Sequence, residues 1–285
     1  MHSRRLELIV LPLMAVACSR NPSPGTEPIP VINGVPEQPG VQPSSGRQRW
    51  TISPTRETHR YSSTISTSIE LNQPAGPVTR DSLISRITFT LETERLAQAI
   101  DYTATIEGIS SQAGTRTGGM STSLSLPFRL SGQVDRLRIT TDSASLDCSN
   151  EVMAVIPVVQ RSLVLPPLTL QKDMTWADSV SSAACSGGIP VRATTVRTYK
   201  VLGESPLGIL IKRQDRTSTA GEGSQGQHRI KLITEGTGDA QLVIDPATGS
   251  LVETTGTSSI AVTITASGRE QHFVQTVREK TARLQ

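Results

Sequence analysis
The chain is predicted to be all-β with one short crossover helix, its strands forming a large curved antiparallel sheet, half-barrel-like, of about eleven strands. Three observations carry this. On both sides of the centre, aliphatic residues alternate with Ser and Thr, the period of two that gives a strand one oily and one wet face. Turn residues punctuate these runs at short intervals, as successive hairpins require and βαβ units do not. A single segment, Cys148 to Cys185, breaks the alternation. Aromatic residues make up 3% of the chain and hydrophobic residues 35%, so the core has to be built mainly from Leu, Ile and Val.

The first element is a leader. Arg4 and Arg5 precede an apolar run from Leu8 to Val16, and Ala15-Val16-Ala17 stands directly before Cys18. A basic start, a short apolar stretch and small residues at a cleavage point have the layout of a bacterial secretory signal, assigned here to residues 1–17. At about ten apolar positions the run is too short to span a bilayer permanently. Ala-x-Ala suits an ordinary signal peptidase. A small residue before cysteine suits the lipoprotein signal, whose cysteine becomes the acylated first residue, although Ala15 stands where that signal usually carries Leu. The chain has 3 cysteines. In an exported protein that leaves one over, and palmitate-type acylation of Cys18 accounts for it, leaving Cys148 and Cys185 to form a disulfide. The alternative is a pair of free, buried thiols. Two or more acyl chains suffice for stable anchoring. The expected partner is therefore a membrane, held through N-terminal acyl chains, and the expected place the cell envelope, at the outer membrane facing periplasm or surface.

Residues 18–48 follow as a tether. Pro22, Pro24, Pro28, Pro30, Pro36, Pro39 and Pro43 are too closely spaced for helix or sheet, and Gly, Ser and Gln fill the gaps. Such a composition buries too little apolar surface to offset the entropy of ordering.

A single β domain is expected over 49–285. Trp50 stands at its start and is read as a plug for one end of the core. Tyr61, Ile65, Ile69 and Leu71 alternate with Ser62, Thr64, Ser66 and Ser68; Leu83, Ile87, Phe89 and Leu91 repeat the pattern. Tyr102, Ala104 and Ile106 give a third strand, residues 110–119 a polar hairpin loop, and Leu124, Leu126, Phe128 and Leu130 continue the meander. The crossover segment, 148–185, starts with the cap-like Ser149-Asn150-Glu151, is helical over about 150–164 with Pro157 bending or dividing it, and stops at Pro166-Pro167. Strands resume at 191–201, 209–213, 228–234 and 240–244. Asp245-Pro246-Ala247-Thr248-Gly249 is a tight turn with Gly where positive φ is needed. Residues 251–254, 260–265 and 272–277 complete the sheet.

Chemistry is sparse. The formal charge of +3 is spread along the chain with no basic stripe interleaved with aromatics, which argues against nucleic-acid binding. Gly221, Gly223 and Gly226 match G-x-G-x-x-G, but a strand follows where the phosphate-binding motif needs a helix, so a hairpin loop is the better account. His59, His228 and His272 stand at strand starts and share no metal-ligand spacing, and there is no G-x-S-x-G elbow. Glu92, Glu94, Asp101 and Glu107 fall on the polar face or near strand ends. No catalytic residue, metal site or cofactor is expected, and the protein is not expected to be an enzyme.

Leu165-Pro166-Pro167 followed by Asp173 and Trp176, and later Leu242-Val243-Ile244-Asp245-Pro246-Ala247-Thr248-Gly249-Ser250-Leu251-Val252, resemble uncharacterised bacterial envelope lipoproteins of a domain-of-unknown-function class. By layout, a long antiparallel sheet with a helix on its inner face is also similar to the half-barrel of the LolA, LolB and LppX group, which implies a concavity able to hold lipid or acyl chains. The functional expectation is non-catalytic binding of an apolar ligand between sheet and crossover, with Leu83, Ile87, Phe89, Leu124, Leu126, Val155 and Trp176 as lining candidates; ordinary core is the plainer account of each. The rival expectation is a structural or protein-interaction module of the envelope.

Overall fold
A computed structural model describes residues 48–71, 79–96, 99–113, 122–124, 128–135, 138–142, 152–186, 189–225 and 228–285; the side chains of 71, 79–80, 113–154, 182–186 and 225 lie outside what is described. The leader, Cys18, the tether up to residue 47, Leu126 and Cys148 are likewise outside it.

The described chain is almost entirely strand. In order come β1 (Arg49–Thr51), β2 (Arg56–Leu71), β3 (Thr79–Arg95), β4 (Ala99–Ala113), β5 (Thr122–Leu124), β6 (Phe128–Asp135) and β7 (Arg138–Asp142). Helix α1 (Val152–Ser162) follows, then β8 (Thr169–Gln171), β9 (Thr175–Ser186), β10 (Ile189–Ser205), β11 (Gly208–Gln225), β12 (His228–Ile244), β13 (Leu251–Ala266) and β14 (Arg269–Arg283). The expected large curled antiparallel sheet is present. From β3 the antiparallel pairings run through β2, β14, β13, β12, β11 and β10 to β9, then on through β7 and β6 to β4. Strand β4 pairs back with β3 from Arg95↔Ile100 to Leu83↔Ala113, so the curl returns to its starting strand. Its thinnest seam is β7 with β9, the one parallel pairing described, with Arg138↔Ser179 and Ile139↔Val180 as partners. Parallel neighbours need a long crossover. Here that crossover is α1, and it passes through the inside of the curl.

Why the helix sits there follows from its residues. Val155, Ile156, Val158 and Val159 are each no more than 1% exposed, and an α-helix that is apolar all round has to be surrounded. It runs undivided through Pro157. Around it, the inward positions of β2 (Tyr61, Ile65, Ile69), β3 (Ile87, Phe89, Leu91) and β4 (Ile100, Tyr102, Ala104, Ile106) are buried with it in one cluster. The outward positions of the wall are mostly polar, with Arg60, Thr64 and Ser66 on β2 and Lys231, Glu235 and Asp239 on β12, and with Ile84, Val196 and Val274 exposed singly among such residues. A barrel wall facing lipid would lose about 2–4 kcal/mol for each Arg or Lys near the bilayer midplane. This wall is built for water.

One end is closed by β1 and the residues that follow it. β1 pairs with β8, Ile52 N–H donates to Leu168 O, and Ser53 N–H to Ala247 O. Trp50 and Ile52 are buried there, the plug expected for Trp50. The neighbouring turn is as read from sequence: Asp245 Oδ1 accepts from Ala247 N and Thr248 N, and Gly249 takes φ of 71°.

Three sequence expectations change. The crossover is shorter than 148–185, because Thr175–Ser186 is a full strand pairing with β10 from Trp176↔Tyr199 to Cys185↔Pro190. The short strands expected at 191–201, 209–213, 228–234 and 240–244 are three long ribbons, β10 to β12, the last two of the four being one strand. Gly221 and Gly223 belong to β11 rather than to a hairpin loop; a Cβ at Gly221 would lie 2.4 Å from Pro190 O, so only glycine lets β10 approach.

Candidate functional site
Register across β9 to β14 places charge on the inward face. Asp178 on β9 stands opposite Arg197 on β10, which stands opposite Asp215 on β11, which in turn faces Gly238 on β12 and, beyond it, Ser258 on β13. One layer nearer the plugged end, Trp176, Tyr199, Arg213, Ala240, Gly256 and Glu279 form the next row. Two charged belts therefore cross the middle of the interior.

Arg197 is the largest fully buried side chain. Its Nε donates to Asp178 Oδ1 and its Nη2 to Asp178 Oδ2, each at 2.6 Å, the two-pronged geometry in which guanidinium and carboxylate match best. Nη1 donates to Gln160 O at 3.0 Å and Nη2 also to Leu163 O at 3.2 Å. Tyr199 Oη donates to Asp178 Oδ2 at 3.1 Å, and the Trp176 ring stacks on Tyr199 at 4.8 Å. Arg213 pairs with Asp215 on its own strand and donates through Nη1 to Arg161 O at 3.2 Å. Arg161, on the helix, reaches Glu279 at 2.5 Å.

The logic of the belts is the end of α1. The last four carbonyls of a helix have no partner within it and carry its negative pole. Two of them, Gln160 O and Arg161 O, with Leu163 O just beyond, receive buried guanidiniums from the sheet. Burial opposes the charge on Arg197, but Tyr199, Asp178 and Asp215 around it outweigh that, and its pKa lies above the ordinary guanidinium value. Arg161 behaves alike: burial opposes its charge and Glu279 more than restores it. Burial pushes the Tyr199 phenol well up.

Between α1 and strands β10 to β14 lies a cleft of about 60 Å³, lined by Arg161, Arg213, Asp215, Ser258 and Glu279 over a floor of Gly236, Gly238 and Gly256. A Cβ at Gly236 would come within 2.9 Å of Ile260 Cγ1 and of Ser259 O, so the floor admits no side chain. The space accepts a few waters and falls far below the roughly 300–1,000 Å³ of small-molecule pockets. Its charges cancel: Arg161, Arg197 and Arg213 against Asp178, Asp215 and Glu279. A charge-balanced set of this kind fastens the helix to the sheet.

The sequence-predicted lining positions lie elsewhere. Ile87, Phe89 and Val155 are fully buried in the apolar cluster, with Phe89 stacked on Tyr61 at 5.4 Å, and Trp176 packs against that cluster from β9. Leu83 is half-buried opposite Thr67. None of these five borders the polar cleft. The Leu124 side chain, Leu126, Cys18, Cys148 and the Cys185 side chain lie outside the described residues. Sequence reasoning missed the five charged residues of the belts, Asp178, Arg197, Asp215, Arg213 and Glu279, and Arg161 of the helix that meets them. The signal was present in β10, where Val191, Ala193, Arg197, Tyr199 and Val201 share inward parity and an arginine stands among apolar residues.

No family model matches this sequence, and no curated protein matches it.

Proposed function
We propose that the chain is a non-catalytic lipoprotein of the bacterial envelope, acylated at Cys18, whose helix-filled barrel acts as a structural or protein-interaction module. The leader and the small residues before Cys18 support export and anchoring; the water-facing wall supports a domain that stands clear of the bilayer. The observation that carries the module reading is the occupancy of the curl: Val155, Ile156, Val158, Val159 and Leu163 of the chain itself fill the space between sheet and crossover where an apolar guest was expected. A lipid would have to displace α1 and break the guanidinium contacts to Gln160, Arg161 and Leu163. Cys148 and Cys185 are proposed to form a disulfide that ties the entry of the crossover to the far end of β9.

The test is native mass spectrometry of the full chain expressed in a diderm bacterium and purified from membranes. The expected result is a diacyl or triacyl Cys18, no further lipid on the folded domain, and a polypeptide retained after cross-linking in the membrane. A free lipid bound in one-to-one ratio and lost on deleting the helix contacts would restore the apolar-ligand reading. An unmodified Cys18 in the membrane-bound protein would remove the anchor.

A further inference from the structure
Away from the charged belts, near the plugged end, one cation is buried without a contacting carboxylate. Arg95, the last residue of β3, is 5% exposed. Its Nη2 donates to Val164 O at 3.3 Å and to Gly249 O at 3.2 Å, which ties the segment after α1 to the 245–249 turn. Its Nη1 is buried and has no hydrogen-bond partner. The nearby carboxylates are engaged elsewhere: Glu57 with Ser250 Oγ and His59, Asp245 with the amides of its own turn and with Arg283. Burial accordingly pushes the Arg95 guanidinium down to about 10, with only the more distant Glu57 acting the other way.

Beside this side chain is a cavity of about 20 Å³, lined by Arg95 with Thr93, Ser162 and Ser250 among polar groups and by Tyr61, Leu163 and Leu251 among apolar ones. A buried donor left unmade is costly, and a charged donor more so. The space holds one guest of about the size of a water molecule and is too small for an oxyanion. A neutral water would satisfy the N–H and leave the charge; a monatomic anion satisfies both. We propose that this cavity is a binding site for a chloride-sized monovalent anion, held by the free N–H of Arg95 Nη1. The bound ion completes the junction between the end of α1 and the turn that closes the barrel.

The experiment uses the whole folded chain. Crystals soaked in sodium bromide are expected to show an anomalous scattering peak within hydrogen-bond distance of Arg95 Nη1. In solution, thermal unfolding at fixed ionic strength should give a higher Tm in sodium chloride than in sodium gluconate, saturating with chloride. The difference should vanish in Arg95→Met, and the bromide peak on the unmodified protein decides the matter should that variant fail to fold. A water without anomalous signal at Nη1, with equal Tm in the two salts, would overturn the proposal.

Discussion
Arg197 and Asp178 are direct cross-strand partners on β10 and β9 and close a two-pronged ion pair with both contacts at 2.6 Å, the pair being 1% and 2% exposed. Because Arg197 also caps the end of α1, the pair joins the wall of the barrel to its filling. Removing one member leaves the other charge buried and alone. Arg197→Met and Asp178→Asn are each expected to lower unfolding free energy by about 3–5 kcal/mol, whereas the variant carrying both should lose clearly less than the sum. Urea unfolding of the two single variants and the double variant measures this. Additive losses would mean that the two residues act separately.

The pairs on the outer wall should behave differently. Lys212 Nζ lies 3.1 Å from Asp239 Oδ1 across β11 and β12, with both side chains about half in water or more. Water screens such a pair and side-chain entropy opposes it. Asp239→Asn is expected to change stability by no more than about 0.5 kcal/mol, and 1 M salt should erase what effect there is. A loss comparable to that of Asp178→Asn would show that the outer face is covered by something that excludes water.

How the charged belts escaped the sequence is instructive. Period-two alternation is legible where inward residues are apolar, as from Tyr61 to Ile69 and from Ile87 to Leu91, and those strands were placed correctly. It fades where Arg213, Asp215, Thr217 and Thr219 take inward positions on β11, so that residues 214–227 read as loop although the strand continues to Gln225. What makes those polar residues tolerable is non-local: Arg197 needs Asp178, which is 19 positions away in the chain, and Leu163 O, which is 34 away. Neither partner can be assigned before register is known. The helix was visible as an apolar run, and its place inside the curl follows once that run has no polar face.

Two glycines in left-handed or related conformations separate strain from collision. Gly268, in the β13–β14 turn, has φ of 76° and open space around a would-be Cβ. Gly208, at the start of β11, has φ of 145°, and a Cβ there would sit 2.2 Å from Ile244 O. Gly268→Ala is expected to cost about 1–2 kcal/mol, the local backbone penalty alone, and Gly268→Asn less. Gly208→Ala must also push β11 from β12, and its cost should exceed that of Gly268→Ala by at least about 2 kcal/mol. Equal losses in a chemical unfolding series would place the strain, not the backbone contact, in control at both sites.

Alkaline stability follows from three buried groups whose signs differ. Burial raises Tyr61 and Tyr199 well above their ordinary value of 10.0, and lowers Arg95 from 12.5 to about 10. Above pH 10 the unfolded chain gives up the two phenolic protons that the folded chain keeps, so each tyrosine makes stability fall as pH rises. Arg95 acts the other way between pH 10 and 12.5, because there the unfolded guanidinium holds a proton that the folded one has lost. The balance is one proton, a loss of about 1.4 kcal/mol per pH unit in that window. In Tyr199→Phe the remaining tyrosine and Arg95 cancel, and stability should become nearly flat with pH, even though the variant starts lower by about 1 kcal/mol for the lost bond to Asp178. Urea unfolding repeated from pH 9 to 12, with phenolate absorbance followed alongside, measures both slopes. Tyrosine ionisation well before loss of the β-sheet signal would show that these phenols reach water in the folded state.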